Sequence, residues 1–409
     1  MTRSLMMVTV LGWFTLSQVS IASSEPYRPT DDTQILERLS FKASDPVARE
    51  FEVLRNDLRR NPRHLESAVK LATRYIEQGR SEGDPRFLGQ AQAILTPWWH
   101  EPTPPPATLL LRATIRQNAH EFDQALADLD QVLALQPTNA QAWLIKASIL
   151  QVQARYDDAR RACQRLTRLV ASRVFLGCLG DIAGITGQST KSLEFLRPVL
   201  LDPGLIGREK IWIATILAET AARTGAIQEA ENYFADAFKV GIKDQYLLSA
   251  YADFLLDQGR YQDVVFLVQH QTRTDGLLLR LALAEQALGL PWFQNHASEL
   301  AARFAAARER GTTAHVREEA RFTLALLHDA NRALPLAQAN WNVQREPADA
   351  RILLESALAV GNHSAAQPVL DWMKSNRVED FHLQQLAKQI QATTFSQPRK
   401  DSAFVRRPT

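Results

Sequence analysis

The sequence predicts an all-α solenoid of about nine helix pairs stacked in series. Three observations predict it. The stretch Phe122-Asp123-Gln124-Ala125 returns as Tyr156-Asp157-Asp158-Ala159, 34 residues later. Small residues recur in equivalent second-helix contexts at Ala91, Ala125, Ala159, Ser192, Ala230, Val264 and Ala297, at intervals of 34, 34, 33, 38, 34 and 33. Ala366 continues the series, with a blurred copy near Ala333 between. Each copy also divides into two apolar runs of helical spacing joined by a short turn, as in AWLIKASILQVQ followed by YDDARRACQRLTRL. A fixed period of this size is the mark of a repeat architecture in which each unit buries its apolar face only by stacking on the next.

Each part of a copy has a physical reason. Glycine in the turn (Gly187, Gly225, Gly259, Gly361) supplies a left-handed residue where the first helix ends. Proline past the second helix, as at Pro137, Pro203 and Pro347, blocks its continuation. The small residue lets two antiparallel helices approach closely.

Trp143, Ala147, Leu150, Tyr156 and Ala159 form one set of signature positions, and Leu109, Ala113, Phe122, Ala125 and Pro137 another. Leu176, Leu179, Gly180 and Ser192, then Ala218, Ala230 and Phe234, repeat the pattern more weakly. On these residues the chain resembles tetratricopeptide repeat (TPR) proteins of an exported bacterial type. The likeness covers roughly residues 62–375, is most regular over 107–171 and degenerates after about 300. It implies a right-handed superhelix with a concave groove that takes peptides or protein partners.

The flanks complete the domain plan. Residues 1–22 read as a signal peptide: Arg3, an apolar run from Leu5 to Leu16, then Ser20 and Ala22 in small-x-small order. An uncleaved anchor is the alternative. Residues 23–44 form a polar arm. Residues 45–61 form a capping helix opened by Asp45-Pro46, with Ala48, Phe51, Leu54 and Leu58 on one stripe. The solenoid occupies 62–395, and 396–409 read as a disordered tail.

Two irregular places interrupt the period. RSEGDPR, residues 80–86, is expected to lengthen a turn by about seven residues. TPWWHEPTPPP, residues 96–106, joins two repeats; its Trp98 and Trp99 either pack over the junction or form an exposed loop anchor for a partner.

Composition excludes some functions. The 409 residues carry 45% apolar and 22% charged residues and a net charge of +2, which gives no reason to expect nucleic acid as a partner. The nine histidines are scattered, with no HExxH and no zinc spacing, and no metal or cofactor is expected. No Walker loop, nucleophile elbow or dinucleotide fingerprint occurs, so the chain does not read as an enzyme. Export would permit a disulfide between its two cysteines, Cys163 and Cys178. They fall on the second helix of one repeat and the first helix of the next, where the sulfurs could meet; two buried free thiols are the other reading.

The resemblance implies which first-helix positions line the groove. One carries Thr114, Ser148, Asp181, Glu219 and Asp253 in succession, and a second carries Trp212 and Tyr246. The lysine, arginine and asparagine of the two-carboxylate clamp are absent, which argues against acidic C-terminal peptides. Acids beside aromatics favour a basic segment. The competing reading has the acids pair with arginines such as Arg223 while the aromatics fill the core. The function expected is therefore an exported, periplasmic scaffold that binds a protein or peptide, with a role in cell-envelope assembly or secretion. A self-assembling structural subunit, or an enzyme with a dispersed site, are the alternatives.

Overall fold

The computed structural model describes residue 31 and residues 45–311 and 315–396. The expected signal peptide, nearly all of the polar arm and positions 397–409 of the expected tail lie outside the described residues. Ser396, which was assigned to that tail, is the last residue of a helix.

The chain falls into two compact units, Met1–Glu52 and Val53–Thr409. Helix α1 (Pro46–Arg60) begins in the first and ends in the second. The Asp45 carboxylate accepts from the Val47 N–H at 2.8 Å, the cap that Asp45-Pro46 predicts. In the second unit Leu54 and Leu58 are buried, and Arg55 Nε donates to the Tyr75 hydroxyl.

That second unit is all-α among its described residues, a right-handed superhelical solenoid of nine helix pairs. The pairs are α2 (Leu65–Glu82) with α3 (Arg86–Trp99), α4 (Pro106–Asn118) with α5 (Phe122–Leu135), α6 (Ala140–Val152) with α7 (Tyr156–Gln164), and α8 (Ser172–Ile185) with α9 (Ser189–Leu200). Next come α10 (Gly207–Arg223) with α11 (Ile227–Phe238), α12 (Gln245–Asp257) with α13 (Tyr261–Val268), and α14 (Asp275–Leu288) with α15 (Phe293–Glu309). Last are α16 (Val316–Ala325) with α17 (Ala330–Val343), and α18 (Pro347–Val360) with α19 (Gln367–Asn376); α20 (Phe381–Ser396) ends the series.

The small residues do what the spacing predicts. Ala91, Ala125, Ala159, Ser192, Ala230, Val264, Ala333 and Ala366 are fully buried. Ala297 is the exception: it is half-buried, and Leu300 and Phe304 make the close contact of α15 instead. The copy that looks blurred near Ala333 is a regular pair. Gly180 shows how tight the fit is: a side-chain carbon there would lie 2.5 Å from Leu196 Cδ1. First helices start on polar caps, Asn139, Asp244 and Thr274 each accepting a backbone N–H of the first turn. Every pair turns through one left-handed residue. It is glycine at 83, 187, 225, 259, 289 and 361, and His120, Ala154 or His328 elsewhere.

The 80–86 segment does not loop out, contrary to expectation. Arg80–Glu82 extend α2, and only Gly83, Asp84 and Pro85 turn the chain. Helix-forming residues continue a helix at lower cost than an open loop, and Gly83 stops it in the left-handed region.

The superhelix winds tightly enough for successive coils to touch. The turns of pairs one to four rest on the first-helix starts of pairs six to nine and of α20. The Gly83 turn meets Thr274 and Gln245. His120 faces Arg317 and Glu346. The Arg345 N–H donates to the Val152 carbonyl at 2.7 Å, and Trp372 Nε1 donates to the Tyr156 hydroxyl at 3.2 Å. The Ser189 N–H donates to the Glu379 carboxylate at 3.0 Å.

Cys163 on α7 and Cys178 on α8 are joined, with Cα atoms 5.8 Å apart. Two measurements follow. Ala159→Trp, at a fully buried helix contact, is expected to destabilise the protein by about 1–3 kcal/mol in chemical denaturation, against no loss at an exposed site. Reduction of the disulfide, which closes a loop of 15 residues, should cost about 3 kcal/mol, and thiol labelling of the unfolded, unreduced protein should find no free thiol.

Candidate functional site

The residues picked by register stand at equivalent positions of successive first helices, and two of them, Glu219 and Asp253, border one cavity. Thr114 is buried and its hydroxyl donates to the Leu110 carbonyl at 2.9 Å. Ser148 is exposed and accepts from Gln117 at 3.2 Å. Asp181 on α8, Glu219 on α10 and Asp253 on α12 follow, all half-buried.

The three acids differ sharply. Asp253 is held by Arg280 and, at 2.6 Å, by Arg321 from two pairs further on. Burial opposes its ionisation, but the two guanidiniums override that and hold the carboxyl far below the usual carboxylate range. For Asp253 the arginine-pairing reading therefore holds, and it is not a free anion awaiting a partner. Glu219 has no such partner. It accepts from the Tyr246 hydroxyl at 3.0 and 3.1 Å. Burial and the neighbouring Asp181 push it up to about 7, against the pull of Arg223 and the Tyr246 hydrogen bond. Burial also raises Asp181, opposed by a hydrogen bond from Gln151 and by Arg223. Arg223 donates to the Thr220 hydroxyl at 3.1 Å, and among the described residues neither Asp181 nor Glu219 forms an ion pair with it.

The two aromatics also separate. Tyr246 is 61% exposed, so solvent reaches Glu219 from this side of the channel although later pairs wall it in. Trp212 belongs to the packing instead. It lies against both core clusters, and a carbon added at Gly177 would sit 2.7 Å from its ring. Trp212 is thus a core residue and not a groove contact.

Glu219 itself lines a cavity of about 220 Å³ bordered by α10, α11, α12, α14, α16, α18 and α20, with Arg223, Arg280, Arg317, Arg321 and Arg351 among its walls. Asp257 there accepts from Arg351 at 2.7 and 2.9 Å, with His382 at 3.6 Å. Arg317 joins Glu346 at 3.0 Å and Asp349 at 3.3 Å. The first helices of pairs five and six therefore face the chain's own later pairs across this cavity. Arg317 and Arg351, which the sequence reading passed over, lie 34 residues apart, so the repeat period itself marks them.

Trp98 and Trp99 do not form a loop anchor. They are the last residues of α3; Trp98 is buried and Trp99 half-buried. Arg112 donates to the Trp99 carbonyl, and the guanidiniums of Arg112 and Arg116 lie 5.9 Å from its ring. Both arginines also grip the buried Asp128, at 2.7 and 2.6 Å, which pins α4 to α5 beneath the tryptophans. Among the described residues no three His, Cys, Asp or Glu side chains are grouped to hold a metal ion, and no helix is long and apolar enough to cross a membrane.

Residues 118–172 match the family model described as a tetratricopeptide repeat. No curated protein matches the chain. Among solved structures it is similar to the APC/C hetero-tetramer Cut9–Hcn1, at 13% identity over 84% of this chain and 52% of that one, with a TM-score of 0.40. This chain thus spans about half of that matched chain's length. The TPR domain of P58(IPK) aligns at 13% identity over 86% of this chain and 99% of its own, with a TM-score of 0.21. Yeast Tom70 aligns at 10% over 86% and 96%, with a TM-score of 0.22.

One prediction concerns Glu219. Its folded pKa of about 7 lies above the ordinary 4.5, so between these values the folded state holds the extra proton. Stability from this group therefore falls as pH rises from 4.5 to 7, and the penalty is complete above 7. Glu219→Gln should raise the melting stability at pH 8, on the order of 1 kcal/mol, and leave it unchanged near pH 4.

Proposed function

On the premise that this chain carries tetratricopeptide repeats, we propose that it is a non-catalytic scaffold that holds a basic segment of a protein partner in its channel. One observation carries the reading. Asp181 and Glu219 face the channel without an ion pair among the described residues, while Asp253, one repeat on, is held by two arginines. A lysine or arginine side chain entering beside Tyr246 would supply the missing cation, and the phenol ring would add a cation–π contact. Because the channel is walled along its side, the segment enters extended and along the axis. Export to a bacterial periplasm, with a role in cell-envelope assembly or secretion, is part of the proposal. Its support is the signal-like 1–22 segment and the Cys163–Cys178 bond, which suits an oxidising compartment.

The test is calorimetric titration of the full chain with an arginine-rich peptide and with its glutamate-substituted counterpart. The basic peptide should bind, and more tightly at pH 8 than at pH 6, because it needs Glu219 ionised. The double substitution Asp181→Asn, Glu219→Gln should weaken binding at least tenfold, and Asp253→Asn should change it far less. Equal affinity for both peptides, or a double variant that binds as well as the parent, sinks the reading.

A further inference from the structure

The coil contact described above is a sample of how this protein meets another copy of itself. Antiparallel hairpins place all the turns within pairs on one edge of the solenoid. The connections between pairs, with the starts of the first helices, lie on the other. Within the chain, the turn edge of pairs one to four rests against the opposite edge of pairs six to nine and α20. Arg345 to Val152, Trp372 to Tyr156 and Ser189 to Glu379 record that contact. It is tight where it occurs: a carbon added at Gly187 would lie 2.6 Å from Arg377 Cβ.

Among the described residues, the two remaining edges have no such cover. On the turn edge of the second coil, a carbon added at Gly225, Gly259, Gly289 or Gly361 would meet no atom within 4 Å. Among its polar turn residues this edge carries Ile227, Leu288, Trp292, Leu327 and Val360 as exposed side chains, with Trp292 50% exposed. The bare connection edge of the first coil carries Leu135, Leu201 and Ile206; Leu201 is 82% and Ile206 72% exposed. Large apolar side chains exposed along an uncovered edge form a surface suited to association.

We propose that these edges bind each other between molecules, so that the second-coil turn edge of one copy seats on the first-coil connection edge of the next. The occupant is a second copy of this chain because the intramolecular coil contact already joins edges of these two kinds, and stacking continues it. The two surfaces differ, so the contact is head-to-tail and does not close by two-fold symmetry. It adds copies along the superhelix axis and lines their channels up. The proposal stands independently of the acidic site, which no edge residue touches.

The experiment uses the full chain and two edge variants, Leu201→Asp/Ile206→Asp and Leu288→Asp/Trp292→Asp. All four positions are exposed, and unchanged circular dichroism and melting confirm that each variant folds. Sedimentation and light scattering of the parent should show mass that rises with concentration beyond two copies. Each variant alone should be a monomer. An equimolar mixture of the two should give a one-to-one dimer and nothing larger, because each supplies the edge the other lacks. A parent that stays monomeric at its highest soluble concentration overturns the proposal. So does a parent that stops at a dimer, or a mixture that stays monomeric.

Discussion

The contact that everything else depends on is the meeting of a small residue on a second helix with the flank of the first. Ala125, Ala159 and Ala230 have no exposed surface, and the equivalent Ser192 and Val264 are as deeply buried. That contact sets the distance and angle within each pair, and stacking repeats the same small rotation from pair to pair. The rotation accumulates until the turn of the second pair faces the eighth, at His120 and Arg317, and the third faces the ninth, at Val152 and Arg345. The channel and its walls are thus the sum of many local contacts.

The closed coil changes the electrostatics of the channel. In an open groove each acid would face water and differ little from its neighbours. Here arginines from later pairs reach back across the interior, Arg321 to Asp253 and Arg351 to Asp257. A half-buried charge without such a partner is costly, which is why Glu219 is pushed up to about 7 while Asp253 is held low. The asymmetry between two adjacent, register-equivalent carboxylates is a product of the winding.

How much of this was legible in the sequence follows the range of each interaction. The period, the buried small residues and the glycine turns are local, and they read directly. The left-handed turns at His120, Ala154 and His328 lack the glycine signal, yet they fall at the same spacing as their neighbours and were recoverable from it. The 80–86 segment misled because glycine and proline suggest a loop, while Arg80–Glu82 are good helix formers that the helix simply absorbed. Trp98 and Trp99 allowed two readings, packed or exposed, because their cover, Arg112 and Arg116 on Asp128, lies on the next pair. Pairing of Asp253 with an arginine of an adjacent helix was a reading the sequence offered, but Arg321 was out of reach, because it is 68 residues away and enters only once the coil has turned.

A coil that touches itself also separates two kinds of exposed surface. On an isolated solenoid both edges would be equally bare, and apolar residues on them would say little. Here one stretch of each edge is used internally: buried apolar side chains of both coils, Tyr156 and Leu166 with Trp341 and Trp372 among them, join one core cluster, and groups such as Arg345, Ser189 and Glu379 add hydrogen bonds. The stretches left outside hold Leu201, Ile206, Leu288 and Trp292. Covalent connection holds the two coils of one chain at high effective concentration. A contact between separate molecules has no such advantage and must overcome the loss of free motion with buried apolar area. Leu201, Ile206, Leu288 and Trp292 on the outer stretches are the apolar area that such a contact would bury.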